Sequence, residues 1–315
     1  MKIIAEFCQN HNGDFDILKK MINEAAEGGA THGKIQTIFA NDVTYRERFE
    51  NGIVDEDNNI ITIKRPYKDE YDRLKKLELS FEEHRIFIDE CKKVNLIPFS
   101  TAFTKGDVIK LKDFGFESIK VASYDCSSLP LIKSLAESFN EIIISTGATY
   151  NNEIEATSNY LNSIDKEFSL LHCVTIYPTP LNQIHLKRMD YLKKFTNSVG
   201  LSEHTQVAKD GIKASLAAIY YGADTIERHF SVLPEEETRD GKVSIRKEHI
   251  IELVKFSNMS KDDQKSYIED NIPEYESMLG NEQRELSSAE LLNRDYYRGR
   301  FASHYGKKPS YNWED

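Results

Sequence analysis

Eight short apolar runs, each too brief for a helix, recur along the chain with longer amphipathic stretches between them, and this alternation is the strongest constraint on the fold. The runs cover 2–8, 32–37, 97–101, 118–123, 141–146, 169–174, 198–202 and 225–229. Each is mostly apolar rather than alternating, as expected of strands covered on both faces in a parallel sheet. The intervening stretches carry helix punctuation. In 15–27 an apolar face of Ile17, Leu18, Met21, Ile22 and Ala25 is closed by Gly28-Gly29. Ser80 and Glu83 form a capping-box pattern, and 206–221 ends at Gly222. Eight consecutive βα units predict the α/β class and a closed (β/α)8 TIM barrel over 1–262. A short C-terminal tail of helical and irregular character is expected over 263–315.

The connector 49–76 is long and polar, with turn signals at Asn51-Gly52 and Arg65-Pro66. Two readings stand side by side: a loop over the top of the barrel, or a solvated excursion without a role.

Bulk properties narrow the function. The 39% hydrophobic and 30% charged content is ordinary for a globular protein with a full core. A formal charge of −11 excludes a sequence-independent grip on nucleic acid or an anionic membrane. Anionic ligands would therefore need a local cluster of cations. The four cysteines show no CxxC spacing and read as reduced, packed thiols. The N-terminus reads as a strand rather than a signal peptide, and no run approaches the roughly 18 apolar residues of a membrane span. A cytoplasmic location is the expectation.

Polar and charged residues gather at the C-terminal ends of the strands, the face where barrel enzymes build their sites. His204 and His229 end neighbouring strands and are the best candidates for a divalent metal, because imidazole suits Mn, Fe, Co or Zn. His11 stays ambiguous, and His172 falls one residue too early for inward alternation and reads as structural. Lys34 and Lys120 stand near the ends of apolar strands, where an uncompensated ammonium is costly and an anionic ligand would relieve it. Ser145-Thr146-Gly147 leads into a helix and can offer hydroxyls and amides to a phosphate.

At this point the chain resembles the N-acetylneuraminate (sialic acid) synthase family, the bacterial nonulosonate synthases. The resemblance rests on Ile4-Ala5-Glu6 with Asn10-His11-Asn12-Gly13, Lys34-Ile35-Gln36-Thr37, Phe99-Ser100-Thr101, Lys120-Val121-Ala122-Ser123, Ser145-Thr146-Gly147, Leu171-His172-Cys173 with Tyr177-Pro178-Thr179-Pro180, Gly200 to Thr205, and Ile226 to Phe230, in the family's order.

It implies condensation of phosphoenolpyruvate with an N-acetylated amino-sugar aldehyde, N-acetylmannosamine or a related 2,4-diacetamido hexose, to give a sialic-acid-type nonulosonate and phosphate. It also implies a metal on His204 and His229, Mn2+ with Mg2+ or Co2+ as alternatives, and a homodimer. Phosphoenolpyruvate would meet Lys34, Thr101, Lys120, Ser123, Ser145 and Ser202. The sugar would meet Gln36, Tyr177 and Asp240, and Glu6 would sit beside the reacting carbons.

Three departures mark this chain. Thr175 stands where relatives commonly carry Asn in the substrate site, Asp125 provides a shorter carboxylate in place of Glu beside the catalytic centre, and Arg239 adds a cation before Asp240. The resemblance fades at 296–303, the approach to the antifreeze-like domain, which is expected to be absent. A solvated linker is favoured there over an arginine donor from Arg298 or Arg300. A catalytically silent sugar-binding barrel or scaffold is the competing reading, against which the retention of Glu6, both lysines and both histidines argues.

Overall fold

The computed structural model describes residues 1–305 and 308–315. The eight apolar runs form strands β1 (Lys2–Cys8), β2 (His32–Gln36), β3 (Ile97–Ala102), β4 (Ser118–Val121), β5 (Glu141–Ser145), β6 (Glu167–Cys173), β7 (Val199–Glu203) and β8 (Thr225–His229). They close into one barrel in which each strand lies parallel to its sequence neighbours and β8 pairs with β1, Glu6 opposite His229. This is the (β/α)8 architecture expected from the alternation, with strand bounds shifted by no more than a residue or two.

Pleating sorts the side chains into layers. Ile4, Phe99 and Ile143, at alternate strands, fill the barrel floor together with Leu171. The fourth position of that layer falls on β7 at Gly200, where an added Cβ would sit 2.1 Å from the Thr225 carbonyl oxygen and 2.8 Å from Leu171 Cδ2. Glycine there lets β7 and β8 approach and leaves room for Leu171. Two residues further along each strand, the same inward parity brings polar groups to the barrel mouth. Between the strands and the surrounding helices, Phe7, Ile119 and Ile226 from the strands and Leu18, Met21, Phe87 and Phe256 from the helices belong to the main apolar core.

Residues beyond the barrel pack back onto it. Ile268, Ile272 and Met278 join the main core, and Phe301 joins a smaller cluster with Ile38, Ala40, Val43 and Leu74 beside the mouth. Arg46 fastens the tail by donating to the carbonyls of Tyr296, Asp295 and Arg298. The solvated-linker expectation is therefore corrected: Arg300 is 9% exposed, and its neighbours bond to the loop after β2 through Thr44 N to Arg300 O and Ala302 N to Asp42 O. Among the described residues no helix is long and apolar enough to cross a membrane.

Asp42 adds a pH response to this junction. Burial first, and then the negative charge of Asp107 facing it, push the Asp42 carboxyl well above the usual carboxylate range. A proton bound more tightly in the folded state stabilises it fully below the ordinary carboxylate pKa, and that contribution is lost as pH rises through the raised value. Asp42→Asn should therefore gain thermal stability over the parent chain progressively from about pH 4 to about pH 9, as read by calorimetry. A difference that stays constant across that range would contradict the assignment.

Candidate active site

Above the apolar floor, β2, β4 and β8 contribute Lys34, Lys120 and Glu227, and the next layer holds Glu6, Thr101, Ser145 and Ser202 from the alternate strands. All of these line one cavity of about 440 Å³ that opens at the mouth. That size suits a small-molecule site.

The layers are cross-bonded. Lys120 Nζ donates to Ser145 Oγ at 2.6 Å and lies 3.4 Å from Glu227 Oε1. Lys34 Nζ donates to Thr101 Oγ1 at 3.2 Å, pairs with Glu6 and stands 3.6 Å from Glu227 Oε2. Ser202 Oγ donates to Glu227 at 2.9 Å. Glu6 is oriented from the other side by the Cys8 amide, which donates to its Oε1 at 2.6 Å.

Two ammonium groups thus face two carboxylates, all nearly inaccessible to water. Burial opposes ionisation of Glu227, but Lys120 and Lys34 outweigh it and hold the carboxyl below its usual range. Burial first, offset in part by Glu227 and reinforced by Lys120, lowers Lys34 to about 8. An arriving anion would favour its charged form.

The turn at Gly147 adjoins the lysines. Gly147 N donates to Ser123 Oγ at 3.1 Å, and a Cβ at this glycine would meet that oxygen at 2.9 Å, so the turn stays open to close backbone approach.

At the mouth His204 and His229 lie with ring centroids 5.3 Å apart, and the ring of Tyr177, which precedes a cis bond to Pro178, centres 4.0 Å from the His204 ring. Burial first and the neighbouring His229 second lower His204 to about 3, so its imidazole is neutral and able to bind a metal. The Nδ1 atoms of both histidines are buried without a hydrogen-bond partner among the described residues. Asp240 Oδ2 lies 3.5 Å from His229 Nδ1.

Two orphaned imidazole nitrogens beside a carboxylate fit a divalent cation of the Mn or Co type. Cys8 belongs to the same tight group as His229 and Asp240. Its thiol is raised well above the ordinary range, chiefly by burial, and donates to Asp240 at 3.1 Å, so it serves as a neutral hydrogen-bond donor.

The loops that carry the histidines are clamped from outside the barrel. Arg228 and Glu203 form a buried ion pair across β7 and β8, each preceding a site histidine by one residue. Glu203 accepts from the Thr205 amide at 2.8 Å and from Ser215 Oγ at 2.7 Å, while Arg228 donates to Thr205 and to the Val243 carbonyl.

Of the residues singled out by sequence, Glu6, Lys34, Gln36, Thr101, Lys120, Ser123, Asp125, Ser145, Tyr177, Ser202, His204, His229 and Asp240 all line this cavity. Thr175 does not: its buried hydroxyl stands behind the wall, which Asn293 completes by donating to the Thr175 carbonyl at 2.7 Å. Asp125 is raised to about 6, chiefly by burial, and accepts from Ser128 and from Asn312 near the end of the tail. His172 donates to the Ile184 carbonyl at 2.6 Å, which makes it structural. Glu227, Arg239 and Arg300, noted in the sequence as a strand-end carboxylate, an added cation and a possible arginine donor, also line the cavity, as do Arg65, Arg73 and Tyr297, for which the sequence offered no role. The connector 49–76 supplies Arg65 and Arg73 to the cavity lining, so it lies over the barrel mouth rather than standing apart in solvent.

A closed parallel barrel with buried lysines, strand-end hydroxyls and paired histidines at its C-terminal mouth has the form of a barrel enzyme with a small-molecule site. The family follows from comparison: residues 21–266 match the model of the NeuB family, and the chain belongs to that family. The N,N'-diacetyllegionaminic acid synthase of Campylobacter jejuni is 34% identical over 261 residues, covering 79% of this chain and 72% of the relative. The pseudaminic acid synthase of the same organism is 29% identical over 97% of this chain and 82% of its own length. Among solved structures, N-acetylneuraminic acid synthetase from Leptospira borgpetersenii, in complex with citrate, superposes with a TM-score of 0.69 at 27% identity, covering 93% of this chain and 90% of that one. The chain is thus an enzyme of the sialic-acid-type synthase family.

Proposed function

We propose that the chain condenses phosphoenolpyruvate with an N-acetylated amino-sugar aldehyde, giving a nonulosonate and inorganic phosphate. The observation that carries this reading is the paired lysine layer, crowned by serine and threonine hydroxyls, directly beneath two unpartnered histidines in one cavity. Lys34 and Lys120, with Ser145, Ser202, Thr101 and the turn at Gly147, offer cations and donors for a phosphate and a carboxylate held side by side. Gln36, Tyr177 and Asp240 line the upper cavity, where the sugar would lie.

In the bond-forming step the enol π pair at C3 attacks the aldehyde carbon, and the carbonyl π pair passes to its oxygen, which takes up a proton. A divalent cation held by His204 and His229 would supply Lewis-acid polarisation of that carbonyl. Positive charge then develops at C2. Glu6, fixed between Lys34 and the Cys8 amide, is placed to stabilise that charge and to accept the proton of the water that adds at C2. The C2 hydroxyl then forms the ketone with its lone pair as the C2–O bond to phosphate breaks; the hydroxyl proton passes to solvent and the bond's electrons leave with phosphate. Phosphoenolpyruvate bound to Lys34 would also release Glu6 from its resting partner, so the carboxylate becomes available as substrate arrives.

Incubation with phosphoenolpyruvate, Mn2+ and a panel of 2-acetamido and 2,4-diacetamido hexoses should release phosphate only when an acceptor sugar is present, and EDTA should stop the release. Phosphate release independent of sugar, or none with any sugar, would count against the proposal.

A further inference from the structure

We infer that the acceptor sugar carries its own anionic group, remote from the aldehyde, and that an arginine cluster at the cavity rim recognises it. This rests on the synthase reading and specifies its second substrate. The floor of the cavity is electrically balanced, Lys34 and Lys120 facing Glu6 and Glu227. The rim is not. Arg65, Arg73, Arg239 and Arg300 all line the cavity, and Glu70 is the carboxylate that Arg73, Arg239 and Arg300 share among the described residues.

Glu70 accepts from Arg73 Nε at 3.0 Å and Nη2 at 3.1 Å, pairs with Arg300, and lies 4.0 Å from Arg239 Nη1. Burial alone would raise the Glu70 carboxyl, but Arg300, Arg73 and Arg239 bring it down to about 2, so it remains charged. The neighbouring acids are engaged elsewhere: Asp295 with Arg48, Glu153 with Arg294 and Arg298, Asp240 with Cys8 and His229 although Arg239 adjoins it, and Asp125 with Ser128 and Asn312. Arg300 Nε is buried without a partner among the described residues, and Arg65 donates to the Lys64 carbonyl.

One arginine pairing with Glu70 would suffice to weld the helix Tyr67–Leu77 to the tail. Three further guanidiniums beside it repel one another, and in a chain of net charge −11 they gather where the cavity opens. Such a rim concentrates and orients an anion.

Position separates this ligand from phosphoenolpyruvate, whose anions are served by the lysine floor. Arg239 adjoins Asp240, which faces His229, so the cluster begins one residue from the histidine mouth where the aldehyde would react. A guanidinium takes a phosphate monoester or a carboxylate in the same two-point manner, and both fit the inference.

The test uses the full chain with Mn2+ and three forms of one sugar: N-acetylmannosamine, its 6-phosphate, and the analogue with a carboxylate at C6. Calorimetric titration should give one anionic form a Kd at least about tenfold below that of the neutral sugar, and the gap should narrow as salt rises from about 50 to about 500 mM. The tighter of the two anions identifies the group.

Arg239→Ala removes a side chain that is 46% exposed. It should raise KM for the favoured anionic acceptor about tenfold with kcat within about twofold, the pattern of lost uniform binding. Equal affinity for neutral and anionic forms, or an unchanged KM in the variant, would overturn the inference. Turnover of the neutral sugar alone would overturn it while leaving the synthase reading in place. Absence of turnover with every acceptor would count against the synthase reading, and the titration would still decide the rim.

Discussion

Replacing Lys120 with Met should lower kcat/KM for phosphoenolpyruvate by about a hundredfold to a thousandfold, equivalent to about 3–4 kcal/mol of lost transition-state stabilisation. Lys120 is 3% exposed, and its ammonium reaches Ser145 Oγ and Glu227 at the level where the substrate's anions would be held. Met retains most of the volume and removes the charge, so the barrel should persist. The loss has two parts. One cation no longer meets the phosphate or carboxylate, and Glu227, now faced by Lys34 alone, adds uncompensated negative charge to the site. Steady-state kinetics with circular dichroism as the folding control checks this. A folded variant whose kcat/KM stays within about threefold would remove the lysine from the substrate grip.

Glu203→Ala should cost about 3–5 kcal/mol of stability, because it strands the Arg228 guanidinium, 1% exposed, without its counter-charge. The midpoint of thermal unfolding should fall by roughly 10 °C. The same substitution releases the Thr205 amide and the Ser215 hydroxyl, and so unties the backbone on either side of His204. Mn2+ affinity measured by titration should drop along with stability, although Glu203 touches neither substrate nor the histidine rings. Glu203→Gln retains acceptors for those donors and should show a smaller loss of both. A midpoint within about 2 °C of the parent would show that the ion pair contributes little.

Strand parity explains how much of the site was legible in the sequence. Side chains two residues apart on a strand share a face, so Glu6 above Ile4, Thr101 above Phe99, Ser145 above Ile143 and His229 above Glu227 follow from the order of residues alone. Glu227, noted at the end of the eighth strand but given no role, follows the same rule, two residues before a site histidine on an inward face. Glu203 and Arg228 have the opposite parity and sit directly across from each other in register, which makes their pairing an outward-facing feature of the same pattern.

Thr175 was misplaced because β6 ends at Cys173, beyond which no pleat dictates direction. Arg239 and Arg300 were noticed singly in the sequence, but their assembly with Arg65 and Arg73 into one rim was illegible for a different reason. Arg65, Arg73, Arg239 and Arg300 lie on a loop, a helix, a second loop and the tail, and long-range packing of Phe301 with Leu74 and Val43 brings two of these segments together. No local period records such a contact. The tail's charge-rich composition suggested a solvated linker, whereas its attachment depends on Arg46 reaching three backbone carbonyls and Asn312 reaching Asp125, contacts specific to tertiary structure.

The central claim is that this cavity joins C3 of phosphoenolpyruvate to a sugar aldehyde. It is tested most directly by supplying phosphoenolpyruvate labelled with 13C at C3, together with Mn2+ and the acceptor that supports phosphate release, and following the label by NMR. The expected result is transfer of the signal from a vinylic carbon to a methylene coupled into a nine-carbon sugar acid. Label recovered as the methyl group of pyruvate, or left in phosphoenolpyruvate while phosphate release is absent, would contradict it.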